Sequence, residues 1–359
     1  MAVVANTFLT YDAKGIREDL SDLIADISPT QTPFQSNVGT REAENSYFEW
    51  QTDSLSAASA TPVVEGQDLS SYTAVSPTVR LGNYAQINMR DFIISGTEQV
   101  VRKAGRQSEV GYQAAKAAKE LKRDIEKACL QNAGAVAGAT ATARVTAGFP
   151  AWIKTNVSAN GTSTPVVPPA YTGSTPLASS STDIWNVFDT PEAFTEAMLK
   201  TTMQSCFESG GEPRMLMVSP YNKTVVSGFS GIASSRYNVD GAEPSVIIGA
   251  ADIYVSDFGN LSVVPNRFFT TVVDAGSSAM NDWAFLIDPD EVKLATLRPY
   301  GMEALAKSGD ADKRMALIEW GLQVNNEAAH GCVAGIKAVA YPKPSGVGAS
   351  APAPDGATL

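Results

Sequence analysis

Few residues of this chain have the type and spacing that chemistry requires. The single histidine, His330, stands at a predicted turn without an acid at triad spacing, and no serine or cysteine partner for it can be identified. Two acidic turns, 288–290 and 310–312, resemble fragments of a calcium loop, but neither continues into the twelve-residue loop that such sites use. We therefore predict no catalytic residue, no metal site and no cofactor, and a structural or solvated role for His330.

Nucleotide-binding and redox motifs are absent as well. The sequence contains no GxGxxG, GxxxxGK[ST], HExxH or CxxC pattern. Cys129, Cys206 and Cys332 are widely spaced and odd in number, which predicts reduced thiols in a cytoplasmic protein. An enzyme therefore has no residues to support it.

The composition predicts a well-packed protein of about two domains. The 359 residues are 44% hydrophobic, enough to build a core. The formal net charge of -11 argues against binding of nucleic acid by the whole surface. No apolar run is long enough to cross a membrane, and the N-terminus lacks the pattern of a secretory signal, so we expect no membrane partner.

A long β-hairpin is predicted from the alternation of apolar and polar residues after residue 46. Phe48 and Trp50 lie on one side of the outgoing strand 47–53, and the return strand runs over 79–90 with Val79, Leu81, Ala85, Ile87 and Met89 on one face. The connection 54–78 is rich in Ser, Ala, Thr and Pro and is long for a loop inside a compact domain. We predict that this arm reaches a neighbouring subunit.

Two helices flank the hairpin. Residues 16–27 form an amphipathic helix ended by Pro29 and Pro33, and residues 28–44 are then extended. The second helix, 97–132, has a bend or break near Gly105 or Gly111. It holds eight basic and five acidic residues, which favours a solvated face with surface ion pairs. The alternative is a face beside a polyanion.

The rest of the chain alternates between loops, helices and strands. Residues 133–182 are a loop-rich insertion in which Trp152 must find a packing partner. A helix capped by Thr190 runs to about Ser209 and stops at Gly210. Further elements are a helix from Pro220 and strands at 215–218, 245–248, 253–255, 261–265, 283–287, 292–297, 314–325 and 331–341.

Five stretches in order give the sequence a family resemblance. They are REDLSDLIADISPTQTP (17–33), FEWQTDSL (48–55), ARVTAGFPAWIKTN (143–156), SDFGNLSVVPNRF (256–268), and DPDEVKLATLRPY continuing to LAKSGDADK (288–313). Together they resemble the tailed-bacteriophage major head proteins of the Hong Kong 97 fold.

This resemblance implies an α+β capsid fold with a named anatomy. It consists of an N-terminal arm (1–45), an extended loop (46–95), a peripheral domain with a long spine helix and the insertion (96–182), an axial α/β domain (183–280), strands returning to the peripheral domain (281–341) and a C-terminal tail (342–359). The implied function is a structural subunit that self-assembles into hexamers and pentamers of an icosahedral head around double-stranded DNA. The expected location is the virion, after assembly in the host cytoplasm.

The expected partners are other copies of the chain, packaged DNA, a portal and a decoration protein. Since some 45 residues precede the loop, scaffolding is expected to be a separate protein. The candidate residues between subunits are Ile16, Leu20, Leu23, Phe48, Trp50, Leu69 and Tyr72. The candidate residues facing DNA are Arg102, Lys103, Arg106, Lys116, Lys119 and Arg123. The alternatives are an encapsulin-type compartment shell and, from another class, a β-rich surface enzyme.

Overall fold

The computed structural model describes residues 28, 30–58, 60–68, 74–75, 77–101, 103, 108–159, 175–176, 192–229, 252–269, 282–307 and 309–337. The helices are α1 (Pro33–Asn37), α2 (Gly96–Val100), α3 (Glu109–Leu130), α4 (Glu196–Glu208) and α5 (Pro220–Val226). The strands are β1 (Gly39–Glu42), β2 (Tyr47–Thr52), β3 (Val79–Tyr84), β4 (Gln86–Ser95), β5 (Val157–Ala159), β6 (Met215–Val218), β7 (Ile253–Ser256), β8 (Gly259–Pro265), β9 (Trp283–Ile287), β10 (Val292–Ala304), β11 (Ala311–Val324) and β12 (Gly331–Ala334).

A six-stranded sheet in the order β5-β12-β9-β6-β8-β7 forms one layer. Its central strands β6 and β9 are apolar at every position because both faces are covered. Met217 and Phe285 face the main core, while Leu216 and Leu286 face a second core with Leu199 of α4.

This sheet corrects the predicted division of the chain. The strands at 281–341 were expected to return to the peripheral domain together, but β9 and β12 lie inside the six-stranded sheet beside β6. The predicted peripheral insertion also contributes, since β5 pairs in parallel with β12. Uninterrupted apolar strands need cover on both faces, which a central position in this sheet provides.

A four-stranded sheet in the order β1-β10-β11-β4 forms the other main layer. Its strands β10 and β11 are longer than predicted. Both are buried near the Val292 end, whereas near the Ala304 end β10 is mostly exposed and β11 is half-buried. Helix α3 packs on one face of the exposed half, where Leu121 meets Ala316 and Phe92.

The return strand of the hairpin changes partner at Ala85. Its first part, β3, pairs with β2, and its second part, β4, pairs with β11. The predicted single apolar face is therefore wrong: Leu81 and Ala85 are buried, whereas Val79, Ile87 and Met89 are exposed.

The predicted helix 97–132 is two helices. α2 ends at Val100 and α3 begins at Glu109, where the Ser108 hydroxyl accepts a hydrogen bond from the Gly111 N–H at 3.3 Å. The long helix is therefore interrupted after Val100, and Gly105 itself lies outside the described residues. Gly111 lies in the first turn of α3 and does not interrupt it.

The N-terminal boundary is also corrected. Residues 33–43 are part of the subunit, because Phe34, Val38 and Ala43 are buried in the main core and β1 pairs with β10. Residues 28–44 were predicted to be extended, but Pro33 begins the short helix α1, since proline suits the first helical turn. The predicted helix 16–27 and the tail 342–359 lie outside the described residues.

In the remaining helices the predicted termini were partly wrong. α4 begins at Glu196 with Thr195 as its cap, not at Thr190, and it ends before Gly210, whose φ of 85° suits glycine. α5 begins at Pro220 as predicted. The predicted strand 245–248 lies outside the described residues.

Candidate functional site

The histidine and the three cysteines are all buried. The His330 Nδ1 accepts a hydrogen bond from the Asp288 N–H at 3.1 Å, and burial lowers the pKa of this imidazole to about 3. Burial raises the pKa of the Cys206 thiol to about 12 and also raises those of Cys129 and Cys332. Large exposed apolar side chains occur on the hairpin, on β4 of the four-stranded sheet and on β7 at the edge of the six-stranded sheet.

No cluster of acids, histidines and cysteines able to hold a metal ion occurs among the residues that the structure describes. None of the helices within those ranges is both long and apolar enough to span a bilayer.

The hairpin base, formed by β2 and β3, is anchored by the buried side chain of Asn83. Its Nδ2 donates to the Leu322 carbonyl at 2.7 Å and to Thr146 Oγ1 at 3.0 Å. Its Oδ1 accepts from the Ala147 N–H at 2.9 Å. These bonds join the hairpin to β11 and to the insertion, so the direction of the hairpin is fixed where it leaves the core.

Phe48 and Trp50 were predicted to contact a neighbouring subunit, but they belong to the core of their own subunit. They are 3% and 8% exposed, and Trp50 packs on Trp152 with ring centroids 5.2 Å apart. Phe48 rests on Gly321 of β11, where a Cβ atom would lie 2.5 Å from its ring. Trp152, the predicted anchor of the insertion, thus has its packing partner.

The hairpin tip, residues 53–78, has the opposite character. Leu55 is 99% exposed and Val75 is 92% exposed, and Val63 and Val64 are also exposed. Every charged residue of the tip is acidic. Monomeric proteins seldom leave several apolar side chains exposed in one segment, so these residues are candidates for a contact with a partner. Leu69 and Tyr72 of the tip, and Ile16, Leu20 and Leu23 of the arm, lie outside the described residues.

A second apolar surface lies on the four-stranded sheet. Ile87, Met89 and Ile93 of β4 are exposed on the face opposite α3, because alternate residues of a strand point to opposite faces. We name this set the outer sheet face.

A buried carboxylate marks the inner border of the outer sheet face. Glu319 of β11 accepts hydrogen bonds from the Arg298 Nε at 2.7 Å and from Arg144 of the insertion. Two arginine partners compensate the burial of this charge.

The third surface is the basic helix face of α3. Its members are Lys116, Lys119, Lys122, Arg123 and Lys127, and all but the half-buried Arg123 are exposed. Lys103 was predicted to join them, but its side chain is only 11% exposed and forms ion pairs with Glu98 and Glu109. Arg102 and Arg106 lie outside the described residues.

The basic helix face borders an open groove of about 260 Å³ lined by Arg90, Glu120, Arg123, Asp124, Lys127 and Phe268. Arg90 and Arg123 of this groove are engaged with neighbouring side chains. Arg90 donates twice to Asp124 Oδ2, at 2.9 and 2.6 Å, and Arg123 lies over the Phe268 ring at 5.9 Å.

Sequence reasoning missed the buried polar residues Asn83, Glu126 and Glu319. Arg144 offered a signal, because it is one of two charged residues in a long neutral insertion and a lone charge needs a partner. Asn83 and Glu126 carried no such signal, since a polar residue within a strand or helix is usually solvated.

Comparisons with known proteins agree on one family. The family model described as SU10 major capsid protein matches residues 3–337. The major capsid protein of Escherichia phage Phieco32 is 35% identical over 124 residues, which are 34% of this chain and 35% of that protein, so the match spans about a third of its length.

Solved structures show the same fold at low identity. The capsid asymmetric unit of cyanophage A-1(L) has a TM-score of 0.59 at 16% identity and covers 91% of this chain and 98% of its own. A chain from Gordonia phage Cozz has a TM-score of 0.58 at 12% identity and covers 94% and 98%. The α+β fold of Hong Kong 97 type is thereby confirmed. Because the family model spans nearly the whole sequence, the chain belongs to the SU10 major capsid protein family.

Proposed function

We propose that this chain is the repeating subunit of an icosahedral phage head whose hexamers and pentamers enclose double-stranded DNA. The proposal rests on the contrast within the hairpin. Its base is buried in the core, whereas Leu55 and Val75 of its tip are exposed. Apolar side chains on a projecting arm become stable when another copy of the chain covers them.

Contacts between copies involve the hairpin tip and the outer sheet face in this proposal. Both carry exposed apolar side chains, including Leu55 and Val75 on the tip and Ile87 and Met89 on the sheet. A repeating shell buries such surfaces on every subunit at once, because each copy both offers and receives them.

Packaged DNA is the proposed partner of the basic helix face. Lysine and arginine side chains neutralise phosphates without reading sequence, and such contacts weaken as salt increases. The five basic residues of this face include Lys116, Lys119 and Arg123 from the predicted set. An acidic chain with one basic face can hold DNA on that side only.

The remaining proposed partners are a separate scaffolding protein, a portal and a decoration protein, with assembly in the host cytoplasm. A catalytic role is not proposed, because the one histidine is buried and neutral. The encapsulin-type alternative is less well supported, since the matching family is one of phage capsid proteins.

The proposed shell is held together without covalent links through the hairpin. No lysine occurs between Lys14 and Lys103, so the hairpin offers no amine to a neighbouring subunit, and arginine remains protonated. Denaturing electrophoresis of mature heads should show a monomer of 37.8 kDa. A ladder of oligomers that survives heat and reductant would contradict this.

Electron microscopy of the particles formed by the full chain tests the proposed function. Large closed shells that contain DNA are expected. Small shells filled with protein would support the encapsulin-type alternative, and discrete particles without shells would support the alternative of a surface enzyme.

A further inference from the structure

Glu126 is a buried carboxylate at the meeting point of three elements. Glu126 lies in α3 and is fully buried, with an exposed fraction of 0%. The Phe34 N–H donates to Oε1 at 2.8 Å, and the Gln35 N–H donates to Oε2 at 2.9 Å. The Asn266 Nδ2 donates to Oε1 at 2.7 Å.

Two of these donors are successive peptide groups of α1. Phe34 and Gln35 form the first turn of α1, and the preceding Thr32 makes no side-chain cap hydrogen bond. The first N–H groups of a helix lack partners within the helix. Glu126 therefore supplies, from another helix, the cap that Thr32 does not.

The third donor belongs to the six-stranded sheet. Asn266 directly follows β8, and its own N–H donates to the Val218 carbonyl of β6 at 2.9 Å. Its Oδ1 accepts from the Phe268 N–H at 2.8 Å. Asn266 is thus held in place from both sides, and it offers Glu126 a fixed donor.

The burial of Glu126 has a free-energy cost, so we expect this carboxylate to have a structural role. Burial raises the pKa of Glu126, and the three hydrogen bonds act in the opposite direction. A buried carboxylate has a desolvation cost that an apolar residue at the same place would avoid. The benefit is directional: both oxygens are bound by successive peptide groups, which fixes the orientation of α1 against α3.

We propose that Glu126 is a positioning residue that fixes the orientation of α1 against α3, and that it couples this orientation to the six-stranded sheet through Asn266. The role in assembly rests on the proposed function. In a shell, every copy must present the same surfaces to its neighbours, so α1 and the sheet must keep one relative orientation in each subunit. A shift of the six-stranded sheet relative to α3 would be transmitted to α1 through this carboxyl group.

Hydrogen exchange of the unassembled subunit tests the proposal. In Glu126→Gln an amide N–H₂ replaces one acceptor oxygen and meets a peptide N–H, so one bond to α1 is lost. We expect exchange in the peptide 32–38 to rise by about tenfold or more, while the hairpin peptide 47–52 is unchanged. Glu120→Gln is the matched control, because Glu120 lies on the surface of the same helix and pairs with Lys116. Unchanged exchange at 32–38 in Glu126→Gln would overturn the proposal.

Asn266→Ala tests the coupling and covers the case in which Glu126→Gln fails to fold. It removes the hydrogen bond to Glu126, together with the local bond from the Phe268 N–H, and leaves both peptide donors of α1 in place. Faster exchange at 32–38 is expected, and unchanged exchange there would refute the coupling.

Assembly of the same variants provides the functional readout. Fewer closed shells from a folded Glu126→Gln protein than from Glu120→Gln are expected, and equal numbers would refute the positioning role. Should the unaltered chain form no shells, the proposed function fails, while the exchange result still decides the role of Glu126 in the subunit.

Discussion

The base and the tip of the hairpin differ in the burial of their apolar side chains although they belong to one chain segment. At the base, Phe48 and Trp50 are buried, and Asn83 forms hydrogen bonds with backbone groups of the core. At the tip, Leu55 and Val75 are almost fully exposed. Apolar residues thus appear at both ends, but only those at the base have partners within the described part of the subunit.

This difference separates stability from assembly. The base contributes to the free energy of unfolding of the subunit, because its side chains leave water when the chain folds. The tip contributes little to the free energy of unfolding, and we propose that its apolar residues serve a contact outside the subunit. Substitutions at the two ends should therefore change different measurements.

The largest effect on stability is expected for Trp50→Ala. Loss of the ring that packs on Phe48 and Trp152 leaves a cavity and should lower the free energy of unfolding by about 3–5 kcal/mol in urea titration. Val75→Ala at the tip is the matched control and should change it by less than about 0.5 kcal/mol. Equal losses at both sites would break the comparison.

A change of intermediate size in the free energy of unfolding is expected when the pH is lowered, because His330 is buried in the core. The neutral His330 packs on Phe149, and its pKa of about 3 lies below the ordinary value of 6.5. Stability from this group is present above pH 6.5 and is lost as the pH falls, by about 2 kcal/mol between pH 7.5 and pH 5.0.

His330→Asn should remove this loss, since an asparagine Oδ1 can accept from the Asp288 N–H and does not titrate. Burial raises the pKa of Asp282 to about 6, which favours the folded state as the pH falls, but this acts equally in both proteins. Urea titration of both proteins at the two pH values gives the comparison. The same pH dependence in both would mean that the imidazole is not held neutral.

The smallest effect is expected between the two ends. Arg80 and Glu49 form an exposed ion pair across β2 and β3 at 3.6 Å. Arg80→Ala should lower the free energy of unfolding by less than about 0.5 kcal/mol, and salt should screen even that. A loss above 1 kcal/mol, unchanged by salt, would show that the anchored region extends further toward the tip.

Much of the fold could be predicted from the sequence, because repeating patterns report local structure. The buried strands β6 and β9, the start of α5 and the end of α4 followed from apolar runs, Pro220 and Gly210. The identity as a phage major capsid protein and the virion location, predicted from five ordered stretches, are confirmed by the family match.

The errors arose where tertiary partners decide the outcome. The partner change at Ala85 and the place of β12 beside β9 depend on long-range pairing that no local pattern reveals. Phe48 and Trp50 were assigned to a neighbouring subunit because alternation shows that one face is apolar and not what covers it. Lys103 was assigned to DNA because the sequence pattern does not show its ion pairs. The pairs with Glu98 and Glu109 depend on how α2 and α3 lie relative to each other.

Deletion of residues 56–76 is the most direct test of the claim that the hairpin tip serves assembly and not folding. The deletion leaves a connection of five residues, 53–55 and 77–78, between β2 and β3, which suits a hairpin turn. The shortened subunit should retain the urea midpoint of the unaltered chain and should form no closed shells by electron microscopy. Normal shells, or a subunit that no longer folds, would contradict the account.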